Sequence, residues 1–306
     1  MALIERDSSG LYCESGGFHI DPSLPVPKAL ITHAHSGHVH SGGGAYLCST
    51  ESVLLLREML GPDASIETVR YGESLRIGDV GVSFHPAGHI LGSAQIRIEY
   101  RGEVWVVSGD YKLEPDPTCA PFEPVRCNVF VTESTFGLPI YRWPSAVGVL
   151  ASIEEWRRDN QERGKRSVIF ADPWGKAQRL LAGLGPAFCQ EDIKRVNEVY
   201  RASGFVLSET DASDSLVIAP PSAQGTPWMK QFGAVSTALA SGWMRIRGKR
   251  RYQSVDIGFV LSDHADWPGL QQAIRETGAE SVAVNDGYKE PMVRWLQEQG
   301  KQAWAL

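Results

Sequence analysis

At 306 residues, 42% of them hydrophobic, the chain can bury one large core or two modest ones. Its net charge of −6 excludes a generally basic nucleic-acid coat, so any such surface must be local. No run approaches the ~18 apolar residues of a membrane span, and no charged-then-apolar leader precedes Gly10. Five cysteines without a paired framework predict a reducing cytoplasmic setting, with Cys13, Cys48, Cys119, Cys127 and Cys189 mostly acting as buried small hydrophobes.

In chain order, short β-rich runs predict strands at 18–20, 29–32, 82–85, 95–100, 104–108 and 129–132, with a helix at 52–60 between the second and third. The middle alternates: helices at 145–163, 176–184 and 192–203 flank strands at 167–171 and 216–219. The end returns to strand, loop and helix, with strands at 258–261 and 281–284 and helices at 268–276 and 290–299. This order predicts a core made of 1–140 and 255–306, interrupted by an inserted α/β domain over 141–254.

Chemistry-bearing residues recur directly after apolar strands. The first loop reads Ile31-Thr-His33-Ala-His35-Ser-Gly37-His38-Val-His40. His33 and His35 alternate, so on extended backbone both can reach one ion, while His38 points toward a neighbouring position. Later strand ends bring His85 and His89, Ser-Gly-Asp110-Tyr-Lys112, Thr-Glu133-Ser-Thr-Phe-Gly, Ser-Asp263-His264-Ala-Asp266 and Asn285-Asp286-Gly287-Tyr288. Several such ends converging on one sheet edge predict a multi-ligand metal site. His19, His40 and His85 lie near these motifs but outside them; His40 could rescue a missing ligand, though a hydrogen-bonding role is expected of it, and a solvated His-rich loop is the bland alternative for the first motif.

The order His-x-His-x-x-His, Gly-His89 and Gly-Asp110 resembles the metallo-β-lactamase fold. Glu-Ser-Thr-Phe-Gly at Glu133 and Ser-Asp-His-Ala-Asp at His264 resemble its nucleic-acid-processing β-CASP branch. Gly-Leu-Tyr-Cys at Gly10, the run from Ser108 to Thr118, Gly-Lys-Ala-Gln-Arg-Leu-Leu at Gly175 and Ala-Ser-Gly-Trp-Met at Ala240 are similar to the bacterial DNA-ligase-associated exonucleases of that branch. The resemblance implies an α/β fold, an αββα sandwich with an inserted β-CASP-like cap, and two divalent ions, zinc or manganese. It further implies that His33, His35 and His89 hold the first ion, Asp110 bridges, His38 binds the second, and Asp21 braces the site. Glu133 would orient His264, which would protonate the leaving oxygen. Single-stranded DNA or DNA ends are the implied substrate, with a ligase and a helicase of one repair pathway as partners. RNA processing by the same fold, a small-molecule hydrolase and a non-catalytic strand-binding module are the alternatives.

Two positions depart from the family pattern. Gly37 stands where the loop has an aspartate, and Asn285-Asp286 stands where the last motif has Thr-His. Either Asp286 compensates as a ligand to the second ion, or that ion is weakened or lost, or the pair was introduced artificially. On the inserted domain, Arg245, Arg247, Lys249, Arg250 and Arg251 beside Trp243 suit phosphate contact with base stacking, the alternative being a solvated loop. Lys112 and Lys176 are further contacts expected for substrate, whereas Arg179 reads as part of a plain helix start.

Overall fold

Met1–Pro139 together with His264–Leu306 make one unit, and Ile140–Asp263 makes a second. The computed structural model describes residues 2–211, 214–246 and 254–306. The first unit opens with six short strands, β1 (Glu5–Arg6), β2 (Leu11–Cys13), β3 (Phe18–Ile20), β4 (Lys28–Leu30), β5 (Ala45–Ser49) and β6 (Ile66–Val69), hydrogen-bonded in that order. Helix α1 (Val53–Leu60) lies between β5 and β6 and buries Leu55 and Leu56. A second sheet begins with β7 (Ser74–Ile77), β8 (Val80–Pro86), β9 (Ala94–Tyr100), β10 (Glu103–Val107) and β11 (Val129–Thr132). Strand β9 alternates, burying Ala94, Ile96 and Ile98. Strand β11, Val-Phe-Val-Thr, is buried throughout, as expected of a strand covered on both faces.

The second unit alternates helix and strand: α2 (Ala146–Glu162), β12 (Arg166–Phe170), α3 (Lys176–Leu184), β13 (Phe188–Cys189), α4 (Glu191–Ala202), β14 (Leu216–Ala219), β15 (Val235–Ala240) and β16 (Ile257–Phe259). Its five strands run in the order β13-β14-β12-β15-β16, and every pairing is parallel. The expected return to the core at 255 therefore falls later. β16 pairs with β15, through Ala238 opposite Ile257 and Ala240 opposite Phe259, and this keeps the chain in the second unit through Asp263.

The first unit is completed by α5 (Trp267–Glu276), β17 (Ser281–Val284), α6 (Lys289–Glu298) and β18 (Gln302–Ala305). Helix α5 starts at Asp266, whose carboxylate accepts from the Gly269 N–H at 3.0 Å, with proline in its first turn. β17 and β18 extend the second sheet to seven strands, β18-β17-β11-β10-β9-β8-β7. Phe18, Ile20, Leu30 and Leu47 of the first sheet share one apolar cluster with Val82, Phe84, Ile96 and Val131 of the second. The opposite face of the second sheet, with Val106, Phe130 and Val282, packs on Leu270 and Ile274 of α5 and Leu296 of α6. No helix among the described residues is long and apolar enough to cross a membrane. None of the five cysteines is bonded to another; Cys13, Cys48 and Cys189 are buried, Cys119 and Cys127 half-buried.

Candidate metal centre

Strands β8, β10, β11 and β17 all point the same way, since β10, β11 and β17 are mutually parallel and β9 runs opposite to both β8 and β10. Their carboxyl ends therefore share one edge, where backbone leaves the ladder and side chains can converge. The loops holding His89, Asp110, Glu133 and Asn285 follow these ends. The His33 loop joins them from β4 of the facing sheet, tied by the Ala94 N–H donating to Thr32 O at 2.8 Å.

Asp21 organises that loop. Its backbone is left-handed, with φ +44°, a region that aspartate tolerates better than most residues. Its Oδ1 accepts the Thr32 N–H at 2.8 Å, which ends β4 at Leu30 rather than at the expected Thr32. Oδ2 accepts the Thr32 hydroxyl and His38 Nδ1–H at 2.8 Å. Having spent its only proton on Asp21, the Thr32 hydroxyl can only accept from His33 Nδ1–H, 3.0 Å away. His33 is thus fixed with the proton on Nδ1 and the lone pair on Nε2, and His38 takes the same tautomer whenever its second proton is released, as outer partners of metal-ligating histidines do.

The freed nitrogens gather on one atom. Asp110 Oδ2 lies 3.4 Å from His33 Nε2, 3.4 Å from His38 Nε2, 3.9 Å from His89 Nε2 and 4.0 Å from His264 Nε2. His35 Nδ1 and His89 Nε2 face each other at 3.1 Å. His33, His35, His89 and Asp110 each offer a ligand atom within 4.8 Å of the others. His33 is wholly buried, and its Nε2 has no partner in hydrogen-bond geometry. An orphaned buried nitrogen is costly unless something fills the space in front of it. A divalent cation fits this donor set of three imidazoles and one carboxylate.

Gly109 makes room for this packing. It has φ +57°, and a Cβ there would lie 2.6 Å from Thr32 Cβ and Oγ1. Gly109→Ala is expected to cost about 2–4 kcal/mol through backbone strain and overpacking; a urea midpoint equal to that of the parent would contradict it.

Charge follows the same geometry. Burial drives the His33 imidazole down to about 3, and the neighbouring His38 charge adds to it. Burial also opposes charge on His38, but the carboxylates of Asp110 and Asp21 prevail and raise it well above its ordinary value. Burial likewise works against the Asp110 carboxylate, yet His38 and His264 hold it well below the ordinary range. Without an ion, His38 is therefore protonated and Asp110 ionised at neutral pH. A cation arriving on Asp110 removes the charge that retains the His38 proton, so ion uptake should release it. Apparent affinity is expected to climb as pH rises, by up to about tenfold per unit for one proton exchanged, and to level off above the raised His38 value. Calorimetry in two buffers of different ionisation enthalpy measures that proton directly; identical heats would contradict the assignment.

Glu133 is buried and links the two remaining parts. Its carboxylate receives His264 Nδ1–H at 3.0–3.1 Å and the Tyr111 N–H at 3.1 Å. The Tyr111 carbonyl in turn accepts the Ala265 N–H at 2.6 Å. His264 and Asp110, neighbours of these residues in sequence, are held in one frame, and His264 Nε2 is turned to the centre.

Other residues singled out by sequence are placed differently. Asp286 lines the same pocket, of about 370 Å³, as His38 and Asp110. Its Oδ1 accepts the Gly287 N–H at 2.7 Å, and it joins no cluster of ligand atoms among the described residues. Lys112, expected to reach substrate, is 1% exposed and paired with Asp116 at 3.2 Å. Its charge is used inside the fold, which corrects that expectation. Lys176 pairs with Asp263 at 3.1 Å. Arg179 is buried and donates to Ser262 O at 2.6 Å, a structural role for the helix start. Trp243 is half-buried, edge-on to Tyr141 at 5.9 Å, and Arg245 is exposed and donates to Ile140 O at 3.3 Å. Arg247, Lys249, Arg250 and Arg251 lie outside the described residues. His19 pairs with Asp7 at 2.9 Å, His85 faces Ser83 Oγ at 3.0 Å, and His40 is exposed. Sequence reasoning passed over Thr32 and Arg6; Arg6 Nη2 donates to Asn285 Oδ1.

The fold and the site define a class, a histidine–carboxylate metal centre at the carboxyl edge of layered sheets. No family profile matches the chain. A protein of Opitutus terrae named probable DNA ligase is 28% identical over 98% of this chain and 30% of its own length. The cleavage and polyadenylation specificity factor 73 of Drosophila melanogaster is 28% identical over 66% of this chain and 32% of its own. Endoribonuclease ysh-1 of Neurospora crassa is 34% identical over 61% and 24% respectively. The chain thus spans no more than about a third of the length of these relatives. A crystal structure of a protein of unknown function from Enterococcus faecalis shares the fold, with TM-score 0.57 and 11% identity over 84% of this chain and 74% of that one. These similarities bear out the resemblance to the metallo-β-lactamase nucleases of the β-CASP branch.

Proposed function

We propose that the chain is a metal-dependent DNA exonuclease that hydrolyses phosphodiester bonds at single-stranded ends, running 5′→3′, in cytoplasmic repair beside a ligase and a helicase. The observation that carries this is the convergence of four imidazole Nε2 atoms within 4.0 Å of Asp110 Oδ2. The similarity of nearly the whole chain to a segment of a longer protein named probable DNA ligase supports the ligase setting. The two facing sheets, helix-covered on one side, support a metallo-β-lactamase sandwich, with Ile140–Asp263 as its inserted β-CASP-like cap.

In this reading His33, His35, His89 and Asp110 hold a zinc or manganese ion. When bound, the ion supplies a Lewis acid that makes hydroxide available near neutral pH and offsets phosphate charge. Asp21 and Thr32 keep the lone pair of His33 Nε2 aimed inward. Glu133 holds His264 so that a proton on Nε2 can pass to the departing sugar oxygen. Arg245 and Trp243, with the basic run that follows them, contact the strand.

RNA is the second substrate reading, favoured by similarity to a protein named an endoribonuclease. The test is digestion of end-labelled DNA and RNA strands of one sequence with Mn²⁺, Zn²⁺ or a chelator. DNA shortened from its 5′ end only when metal is present is expected. Cleavage of RNA alone would move the assignment to RNA processing, and strand binding without cleavage would leave a binding module.

A further inference from the structure

On the phosphodiesterase reading above, we propose that this chain works with one ion, and that Arg6 supplies the second positive charge on the substrate phosphate. Four donors are gathered for the first ion, but a second is not provided for. Position 37 has no side chain, and a Cβ there would meet nothing within 4 Å, so no neighbour reaches into the gap. The Asp286 carboxylate is engaged by the Gly287 N–H and stands outside every donor cluster among the described residues. Of the other groups in this unit, Asp21–His33–His38 and Asp110–Glu133–His264, Asp21 Oδ2 already accepts from Thr32 and from His38 Nδ1, and the Glu133 carboxylate is taken up by His264 Nδ1–H and the Tyr111 N–H. His33 Nε2 belongs to the first set. What is left is His38 Nε2 and a shared Asp110, one donor fewer than the three protein ligands of a catalytic zinc.

The same pocket, of about 370 Å³, carries a different cation. Beside its carboxylates, one arginine and one lysine line it among the described residues, Arg6 and Lys289. Lys289 Nζ donates to Leu306 O at 2.7 Å. Arg6 contacts the side-chain oxygen of Asn285 through Nη2. A guanidinium has five N–H donors in a planar fork, so one contact to Asn285 fixes its position and leaves donors for two phosphate oxygens. Asn285 belongs to the very pair that departs from the family's Thr-His. Beside Asp286, which withholds the family's imidazole, Asn285 in place of the threonine provides the acceptor that holds Arg6. Arg6 is a phosphate-contacting residue in this arrangement, stabilising charge that a second ion would otherwise neutralise.

The experiment counts ions and weighs phosphate separately. The full chain and its Arg6→Ala and Arg6→Lys variants are equilibrated with Mn²⁺ or Zn²⁺, dialysed, and analysed for metal per chain. Inorganic phosphate is then titrated by calorimetry. One ion per chain is expected in all three. Phosphate affinity should fall about tenfold in Arg6→Ala and recover in part in Arg6→Lys, which keeps the charge without the fork. Arg6 is exposed on the two-residue β1, so folding should survive either change, and the unchanged ion count checks it. Two ions per chain in the parent, or phosphate affinity indifferent to Arg6, overturns the assignment. One ion with Arg6-dependent phosphate binding, but no cleavage of DNA or RNA, sinks the nuclease reading and leaves this one standing.

Discussion

Asp110→Asn should weaken ion retention at the centre and reduce phosphodiester cleavage by about 10³-fold or more, since several kcal/mol of charge stabilisation go with a firmly held ion. The substitution keeps the shape of the side chain and removes only its charge. That charge faces the Nε2 atoms of His33, His38, His89 and His264 and is one of four donors in the first cluster. Without it three imidazoles remain around the ion, and the His38 cation loses the partner that contributes most to raising it. Metal content by mass spectrometry and single-turnover cleavage should therefore fall together. A variant that retains its ion and cuts at the parental rate would show that Asp110 is not the hub of the site.

His264→Ala should separate the two functions. The residue touches the centre at 4.0 Å but belongs to no part of the His33–His35–His89–Asp110 cluster. Ion content should stay at the parental level while cleavage drops about 10²–10⁴-fold, the usual worth of a positioned general acid. A p-nitrophenyl phosphodiester, whose leaving group departs without a proton, should lose far less. Equal losses on both substrates would assign His264 to phosphate binding rather than proton delivery. Because Glu133 accepts His264 Nδ1–H, Glu133→Gln should also slow cleavage of the DNA strand more than that of the p-nitrophenyl phosphodiester while ion content stays parental; equal losses would make the glutamate purely structural.

Much of this site is written in short stretches of sequence. His33, His35 and His38 fall within six residues, and His89 and Asp110 follow apolar strand runs, so spacing puts them at one sheet edge, while their roles as ligands are implied by the family resemblance. The long helices announce themselves similarly: α3 begins at Lys176 and ends at Leu184 as its apolar spacing predicts. Strands of two to four residues, such as β1 and β2, are too brief to show a period. β15, Val-Ser-Thr-Ala-Leu-Ala, carries small residues that fill a parallel layer without an obvious apolar run. The pairing of Glu133 with His264 spans 131 positions and is legible only by resemblance to a family. The contact of Arg6 with Asn285 spans 279, and no local pattern signals it. Thr32 looks like the last residue of a strand; only the left-handed turn at Asp21 shows that its hydroxyl sets the tautomer of His33. Lys112 illustrates the opposite error: a lysine after a glycine-rich strand end looks available until Asp116 is found beside it.

The interruption of the first unit also imposes an order in time. His33, His35, His89 and Asp110 all precede Pro139, whereas His264 is the first residue after the inserted stretch Ile140–Asp263. A ribosome making this chain completes every donor of the ion cluster, and Glu133 as well, before it has encoded the acid that Glu133 is to hold. For the length of that insertion the nascent polypeptide has the means to capture metal but lacks the group that would hand over a proton. The last component added is His264, on which the proposed proton transfer depends, and it arrives only when the inserted unit has already been translated.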